Sequence, residues 1–523
     1  MNTGGPPVSA PQDDGLADFG YSQSLDRSIG KFASFAAGIS YISILTGTFQ
    51  LFYFGFAFGG PAYWWSWPLV FFGQVMVALC FAELAARYPV AGSVYNWSKR
   101  LAGPATSWLA GWMMFMASVV TISAVALGYQ TTLPQIWSGF QLVGDGTGTT
   151  FAVSAVIWGV VLVAFTTTVN AIGVKLMSRI NSVGVFIELI AAVILVVLLG
   201  INIVNPPTVL FDTQGLGEGT NLGYFGAFLI ATLASAYVMY GFDTASSLGE
   251  ETVDPRRTAP SAILRAVIAS FIIGGLILLF AILAAPDLAD PAIGENGLQY
   301  IVLSVLGGPV GSVLLVAVII AITVCALAVH TAAIRLMFAM ARDNALPGAA
   351  RLAHLDPKRR TPLVPAVLIG VAAVLILVVN IGSREIFTAV TSVAIIMIYI
   401  AYLLVTAPML SKRLRGEWPG PGAGKDGYFS LGRWGLPVNI IAVVWGAVMA
   451  VNLAWPRTEV YGEGVLAWSA FIFIGAVVVV GLGWFLLRGR HQVGTLPEHL
   501  AKQLDVDPTV PKDSQSFPEG SQA

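Results

Sequence analysis

Charge is what this sequence has least of. Asp, Glu, Lys and Arg together make up 11% of its 523 residues, against 56% hydrophobic ones, and the mean hydropathy is +0.78. Soluble domains carry ~25% charged residues, so a chain this poor in them cannot clothe a water-facing surface, and no ordinary core hides so much apolar side chain. Cysteine is nearly absent. Cys80 and Cys325 both fall in apolar stretches, which excludes a disulfide framework and leaves each as a small packing residue. There are four histidines, and no metal-ligand spacing or nucleophile elbow accompanies them, so neither a metal nor a cofactor is implied. A net charge of −1 gives no reason to invoke nucleic acid. The first thirty residues contain Asp13, Asp14, Asp18 and Asp26 and no apolar core, so a cleavable signal peptide is not expected.

Long apolar runs dominate what remains. Twelve of them begin near Phe32, Tyr63, Ala105, Phe151, Ser182, Leu222, Ser261, Pro309, Leu363, Glu385, Pro437 and Val465. A run of ~20 residues rising ~1.5 Å each crosses a hydrocarbon layer ~30 Å thick, so an all-α protein with twelve transmembrane helices is expected. Lysines and arginines of short loops stay cytoplasmic. With both termini inside, that rule gathers Arg87, Lys99, Arg100, Lys175, Arg179, Arg256, Arg257, Arg342, Arg351, Lys358, Arg359, Arg360, Lys412, Arg413 and Arg415 on the cytoplasmic side. The other side receives Asp145, Asp212, Asp287, Asp290 and Glu295, with only Arg384 and Arg457 as cations.

Two of the runs are interrupted by polar and glycine residues, Ser43-Ile44-Leu45-Thr46-Gly47 in the first and Met239-Tyr240-Gly241-Phe242-Asp243 in the sixth. Backbone groups at membrane depth need partners, so an unwound stretch persists only where protein or a cavity surrounds it. Matching breaks in two halves point to the solute site of a secondary carrier. Freed amides after Thr46 suit a carboxylate and freed carbonyls near Ile42 to Ile44 an ammonium, a pairing that fits a zwitterion such as an amino acid. The alternative is that Gly47 and Gly241 are ordinary helix-crossing glycines, as Gly55, Gly73, Gly111 and Gly274 are read. No short repeat is visible. Position alone places residues 31–203 and 222–409 as inverted five-helix units, with 437–487 as two added helices and 1–30 and 488–523 as disordered cytoplasmic tails.

Three titratable groups lie within the runs: Glu188, Asp243 and His330. Such groups are costly to bury and are by default functional candidates for coupling or gating. Counted at ~1.5 Å per residue from flanking polar residues, all three lie about 8 to 11 Å inside one face. Glu188 is the first choice for a proton carrier, against a structural hydrogen bond. Asp243 is placed either to cap freed amides of the inner half-helix or to couple, and His330 is more often a packing histidine. Tyr41, Trp112, Phe115, Tyr237, Tyr240 and Phe242 are candidates to enclose a solute or an alkylated amine. The Tyr63-Trp64-Trp65-Ser66-Trp67 cluster is expected at lipid or the interface. Glu83, Glu250, Glu251, Arg256 and Arg257 lie near the cytoplasmic surface as solvated ion pairs or an inner gate.

Ala82-Glu83-Leu84-Ala85-Ala86-Arg87-Tyr88-Pro89-Val90-Ala91-Gly92-Ser93-Val94-Tyr95 resembles the signature of the amino acid, polyamine and organocation permeases. Gly241-Phe242-Asp243, Glu250-Glu251-Thr252-Val253-Asp254-Pro255 and Phe338-Ala339-Met340-Ala341-Arg342-Asp343 are similar to further segments of that family, and Phe19-Gly20-Tyr21 with Leu25-Asp26-Arg27 looks most like its amino acid and choline branch. The resemblance implies a LeuT-like 5+5 fold and secondary transport of an amino acid or amine across the plasma membrane. It implies a site from Ser43, Ile44, Leu45, Thr46, Gly47, Tyr237, Met239, Tyr240, Gly241 and Phe242. Where many members carry a helix-five lysine in place of a coupling sodium, this chain has Glu188, which favours proton linkage. Choline or 4-aminobutyrate as cargo, exchange, a non-transporting sensor and a membrane-embedded enzyme are the alternatives.

Overall fold

The computed structural model describes residues 25, 27–218, 222–356, 358–379, 384–420, 424 and 427–491, the side chains of 384–391 and 491 aside. Phe19-Gly20-Tyr21, most of both expected tails and the Arg384 side chain lie outside the described residues. Among the described residues ten helices are long and apolar enough to span a membrane, and two shorter apolar helices, Gly223–Val238 and Leu363–Val379, join them. Every apolar run of the sequence falls in one of these twelve.

Helices α1 (Lys31–Ile42) and α2 (Ile44–Gly59) form the first span, followed by α3 (Ser66–Arg87), a short α4 (Ser93–Leu101), α5 (Pro104–Ile136), α6 (Gly148–Ile172) and α7 (Val174–Ile201). Then come α8 (Gly223–Val238), a single turn α9 (Thr244–Ser247), α10 (Pro255–Ala284), α11 (Pro291–Leu306), α12 (Gly308–Arg342), another turn α13 (Ala349–Leu352), α14 (Leu363–Val379), α15 (Arg384–Leu414), α16 (Gly435–Ala454), α17 (Thr458–Tyr461) and α18 (Ser469–Leu487). Helix α7 begins eight residues before the apolar run at Ser182, so Lys175 and Arg179 are helical rather than in a loop. A helix satisfies its backbone internally and need not stop where the apolar side chains do. Helix α11 sits in what the sequence shows as an acidic loop. Asp290 caps it by accepting from Ala292 N–H at 2.9 Å, and the Tyr300 hydroxyl together with that amide holds the Asp290 carboxyl below the usual carboxylate range.

Spans α1, α2, α5 and α12 fill the interior, whereas α7 presents Val183, Val193 and Val197, and α14 Val371 and Leu375, more than half exposed. An apolar surface of that extent belongs in hydrocarbon. The aromatic cluster after the first span divides: Trp65 is exposed at the rim, but Tyr63 and Trp67 are buried, each filling space left by a glycine. Tyr63 lies against Gly55, and Trp67, which donates to Phe271 O at 2.9 Å, lies against Gly274. Interfacial placement therefore fails for those two, because glycine seats draw them inward. One end of the bundle carries Arg87, Lys99, Arg342 and Arg413, and the other carries Asp145, Asp212, Asp287, Asp290 and Glu295. They are called the basic and the acidic face below.

Candidate functional site

The first break is one residue wide. Ser43, with φ 41° and ψ 92°, separates α1 from α2, a left-handed excursion that a side-chain-bearing residue rarely makes without a local reason. The reason is its partners. Ser43 Oγ lies 2.6 Å from Thr46 Oγ1 and 3.0 Å from Glu188 Oε1, while Leu45 N–H donates to the same carboxylate oxygen at 3.1 Å. Glu188, 1% exposed, thus places its carboxyl on the N-terminus of α2, the position the sequence reading reserves for a solute carboxylate. Its Oε2 is buried and, among the described residues, has no hydrogen-bond partner. Ser43 has one hydroxyl hydrogen, so when Glu188 is ionised that hydrogen goes to the carboxylate and Thr46 donates to Ser43. Cys325, read from sequence as mere packing, points Sγ at the Tyr41 carbonyl at 3.5 Å and so caps a freed acceptor of α1.

Gly47 is not at the break. Its N–H already bonds Ser43 O at 3.0 Å inside α2, which removes it as an amide donor to a solute. Its lack of a side chain serves packing instead, because a Cβ there would stand 2.6 Å from Val238 Cγ2 on α8.

The second break runs from Met239 to Asp243. Gly241 takes φ +84°, and a Cβ on it would lie 1.9 Å from the Tyr41 ring, so both its conformation and its neighbour require glycine. Its N–H donates to the Tyr402 hydroxyl at 3.0 Å. That hydroxyl donates in turn to Asp243 Oδ1 at 2.6 Å, and Ser93 Oγ donates to Oδ2 at 3.0 Å. Asp243 stands at the N-cap of α9 but its side chain makes no cap bond. The capping role fails because Tyr402 and Ser93 claim both carboxylate oxygens. The inner half-helix is one turn, Thr244–Ser247. Tyr402 was missed; its only signal is a hydroxyl-bearing aromatic in mid-span.

Around the breaks, Tyr41, Tyr240 and Tyr237 form an edge-to-face chain with ring centroids 6.1 and 6.0 Å apart. Tyr237 OH donates to Gln50 Oε1 at 2.9 Å, and Gln50 Nε2 donates to the Ala124 and Val125 carbonyls, both at 3.2 Å. This tie joins α8, α2 and α5 directly above the breaks. Beyond it a cavity of about 580 Å³ opens at the acidic face, with Phe49 and Gln50 in its lining and amides of Gln130, Gln135 and Gln299 on its walls. Ile44, Leu45, Met239 and Phe242 are buried, and Phe242 packs between Phe81 and Tyr402, at 5.9 and 5.5 Å. Trp112 and Phe115 do not enclose this site. Trp112 donates to Val477 O at 2.9 Å and stacks on Trp108, because the glycine at 481 gives it a seat on α18. His330 engages Thr166 Oγ1 through Nδ1 and the Ala366 carbonyl through Nε2, both at 3.0 Å. A carbonyl only accepts, so Nε2 carries the hydrogen and the neutral ring is satisfied. Among the described residues no hydrogen bond joins Glu188, Asp243 and His330 to one another.

The basic face is shut. Arg342 forks onto Glu250 at 2.8 and 3.0 Å, Arg335 bonds Glu251 at 3.0 Å, and Lys99 meets Asp343 at 2.6 Å. Glu83 accepts from Arg413, Trp418 Nε1, Ser430 Oγ and Leu431 N–H. Glu83, Glu250 and Glu251 are at most 2% exposed, so the solvated-pair reading is corrected: the loops and the 28–29 segment, whose amides bond Glu251 O at 3.0 and 2.8 Å, fold over them. Arg256 and Arg257 instead face the Tyr428 ring at 5.4 and 5.9 Å.

Residues 29–482 match the family model described as amino acid permease. The chain is 27% identical to the amino-acid permease BAT1 of Arabidopsis thaliana over 91% of its own length and 94% of that protein's. It is 30% identical to the methylthioribose transporter of Bacillus subtilis, over 72% of this chain and 82% of the other. Its structure is similar to that of MhsT in complex with L-phenylalanine, with a TM-score of 0.50 at 16% identity, covering 81% of this chain and 98% of that one; that likeness gives the LeuT-type fold.

Proposed function

The chain belongs to the amino acid permease family, and from that premise we propose that this multi-pass membrane transporter carries an amino acid or related amine across the plasma membrane, both termini cytoplasmic, with a proton as partner. The basic face is then the inner one. In this reading 31–203 and 222–409 are the inverted units whose broken helices form the site, and 437–487 is appended to them.

One observation carries the reading: Glu188 sits on the helix terminus that a solute carboxylate needs. An ionised Glu188 holds Leu45 N–H and Ser43 through charge-assisted bonds. Protonation weakens both, and the Leu45 amide at the start of α2 is released to the anionic end of the cargo, with the Thr46 hydroxyl beside it. Carbonyls near Ser43 and Tyr240 take the ammonium. Two carboxylates cannot share one amide terminus, so cargo and proton bind together, which is symport. The Gln50–Tyr237 tie is the outer closure and the Glu250 and Glu251 pairs are the inner one, alternately opened. In proteoliposomes Glu188→Gln is expected to keep equilibrium binding of the amino acid and to lose accumulation driven by a pH gradient. Uphill uptake equal to the unaltered protein rejects the assignment.

A further inference from the structure

A second cavity, of about 1090 Å³, lies between α8 and α16 near the acidic face, away from the breaks. Gly226 and Ile230 line it from α8, Val448 and Val451 from α16. The two valines are each 56% exposed. Such a groove is larger than the ~300–1,000 Å³ of a small-molecule pocket, and its walls suit hydrocarbon. Its mouth is different in kind. Trp455, Arg457 and Glu459 stand there at the end of α16, and an exposed tryptophan at a helix end marks the headgroup level.

Arg457 is fixed rather than loose. Its Nη1 and Nη2 donate to Asn452 O and Oδ1 at 2.8 and 2.7 Å, and Asn452 donates to Leu229 O and Thr232 Oγ1 of α8, both at 3.1 Å. Two of five guanidinium hydrogens are used, which leaves three for an anion. Among the described residues neither Arg457 nor Glu459 forms an ion pair. One cation and one anion, side by side above an apolar trough, match a headgroup that carries a phosphate and an ammonium.

We propose that this groove holds a zwitterionic aminophospholipid, phosphatidylethanolamine being the simplest, with its phosphate on Arg457, its primary ammonium on Glu459 and acyl chain between α8 and α16. The lipid wedges the half-helix that leads into the second break against a helix outside both units. Phosphatidylglycerol lacks the cation that Glu459 selects, and phosphatidylcholine lacks N–H donors.

Native mass spectrometry of the purified full chain, with equal amounts of the three lipids, tests this. Phosphatidylethanolamine is expected to be retained about two- to fivefold over phosphatidylglycerol, the yield of an exposed ion pair. Glu459→Gln, at an exposed position, is expected to erase that preference with the fold intact, and Arg457→Gln to lower retention of all three. Equal retention in the unaltered chain, an annular lipid only, overturns the proposal, as does a preference that survives Glu459→Gln.

Discussion

The two faces of the molecule are closed by different chemistry. At the basic face, Glu83, Glu250 and Glu251 are buried and paired with arginines, and the amides of Ser28 and Ile29 bond the Glu251 carbonyl. At the acidic face the corresponding barrier is one neutral tie, Tyr237 to Gln50, and above it lies a cavity walled by amides. A buried charge whose partner leaves is expensive, whereas a neutral hydrogen bond traded for water costs little. The structure accordingly rests with ion pairs shutting its basic side and with a neutral tie between its acidic-side cavity and the breaks. Charge latches make a closure that opens as a unit; amides make one that yields singly.

The largest test of that contrast is Arg335→Ala. It strands Glu251 at 2% exposure, and removal of one partner of a buried pair typically costs about 3–5 kcal/mol. A large fall in the melting temperature of the purified protein is expected. Arg335→Met with Glu251→Met, which removes both charges, is expected to restore most of it. A single substitution costing no more than the double one breaks the comparison, because the pair then behaves as if it were solvated.

Glu83→Gln sharpens it. The Glu83 carboxylate gathers four donors, all of them from the 413–431 region. An amide presents one oxygen and two hydrogens to that set, so at least one donor loses its acceptor, at about 1–3 kcal/mol. Faster proteolytic cleavage between 416 and 431 is the expected readout. Cleavage at the unaltered rate means that the loop is held by something other than Glu83.

The spans were legible because hydropathy reports apolar helices directly: each run became helical, the first and sixth in two pieces. Ends were not, as α7 shows, since helices continue past the hydrocarbon. The breaks were legible in place but misread in detail. Gly47 drew attention as a backbone breaker, yet the break falls on Ser43, whose conformation is fixed by Glu188 from α7, a contact 145 residues distant in sequence. Sequence named Glu188 and the anion-binding terminus separately, and only packing shows that they meet. Asp243 was singled out for its depth, but its partners Tyr402 and Ser93 come from α15 and α4, and nothing local marks them.

The smallest expected effect is at the acidic face. Tyr237→Phe removes one neutral hydrogen bond and keeps the ring against Tyr240, so stability should fall by only about 0.5–1.5 kcal/mol. Gln50 keeps its two carbonyl acceptors on α5, which holds its amide in place and leaves Oε1 without its donor. If that tie is the outer closure, its loss should show in Cys325, which lies beneath it at 3% exposure and whose thiol touches the Tyr41 carbonyl. A membrane-impermeant thiol reagent applied from the acidic side should then label Cys325 several times faster in Tyr237→Phe, and saturating cargo should slow the labelling. Cys80, fully buried on α3, gives the internal control, since opening at the acidic face leaves its surroundings unchanged. Equal labelling rates for Cys325 in both proteins place the closure elsewhere and remove the contrast between a charged latch and a neutral one.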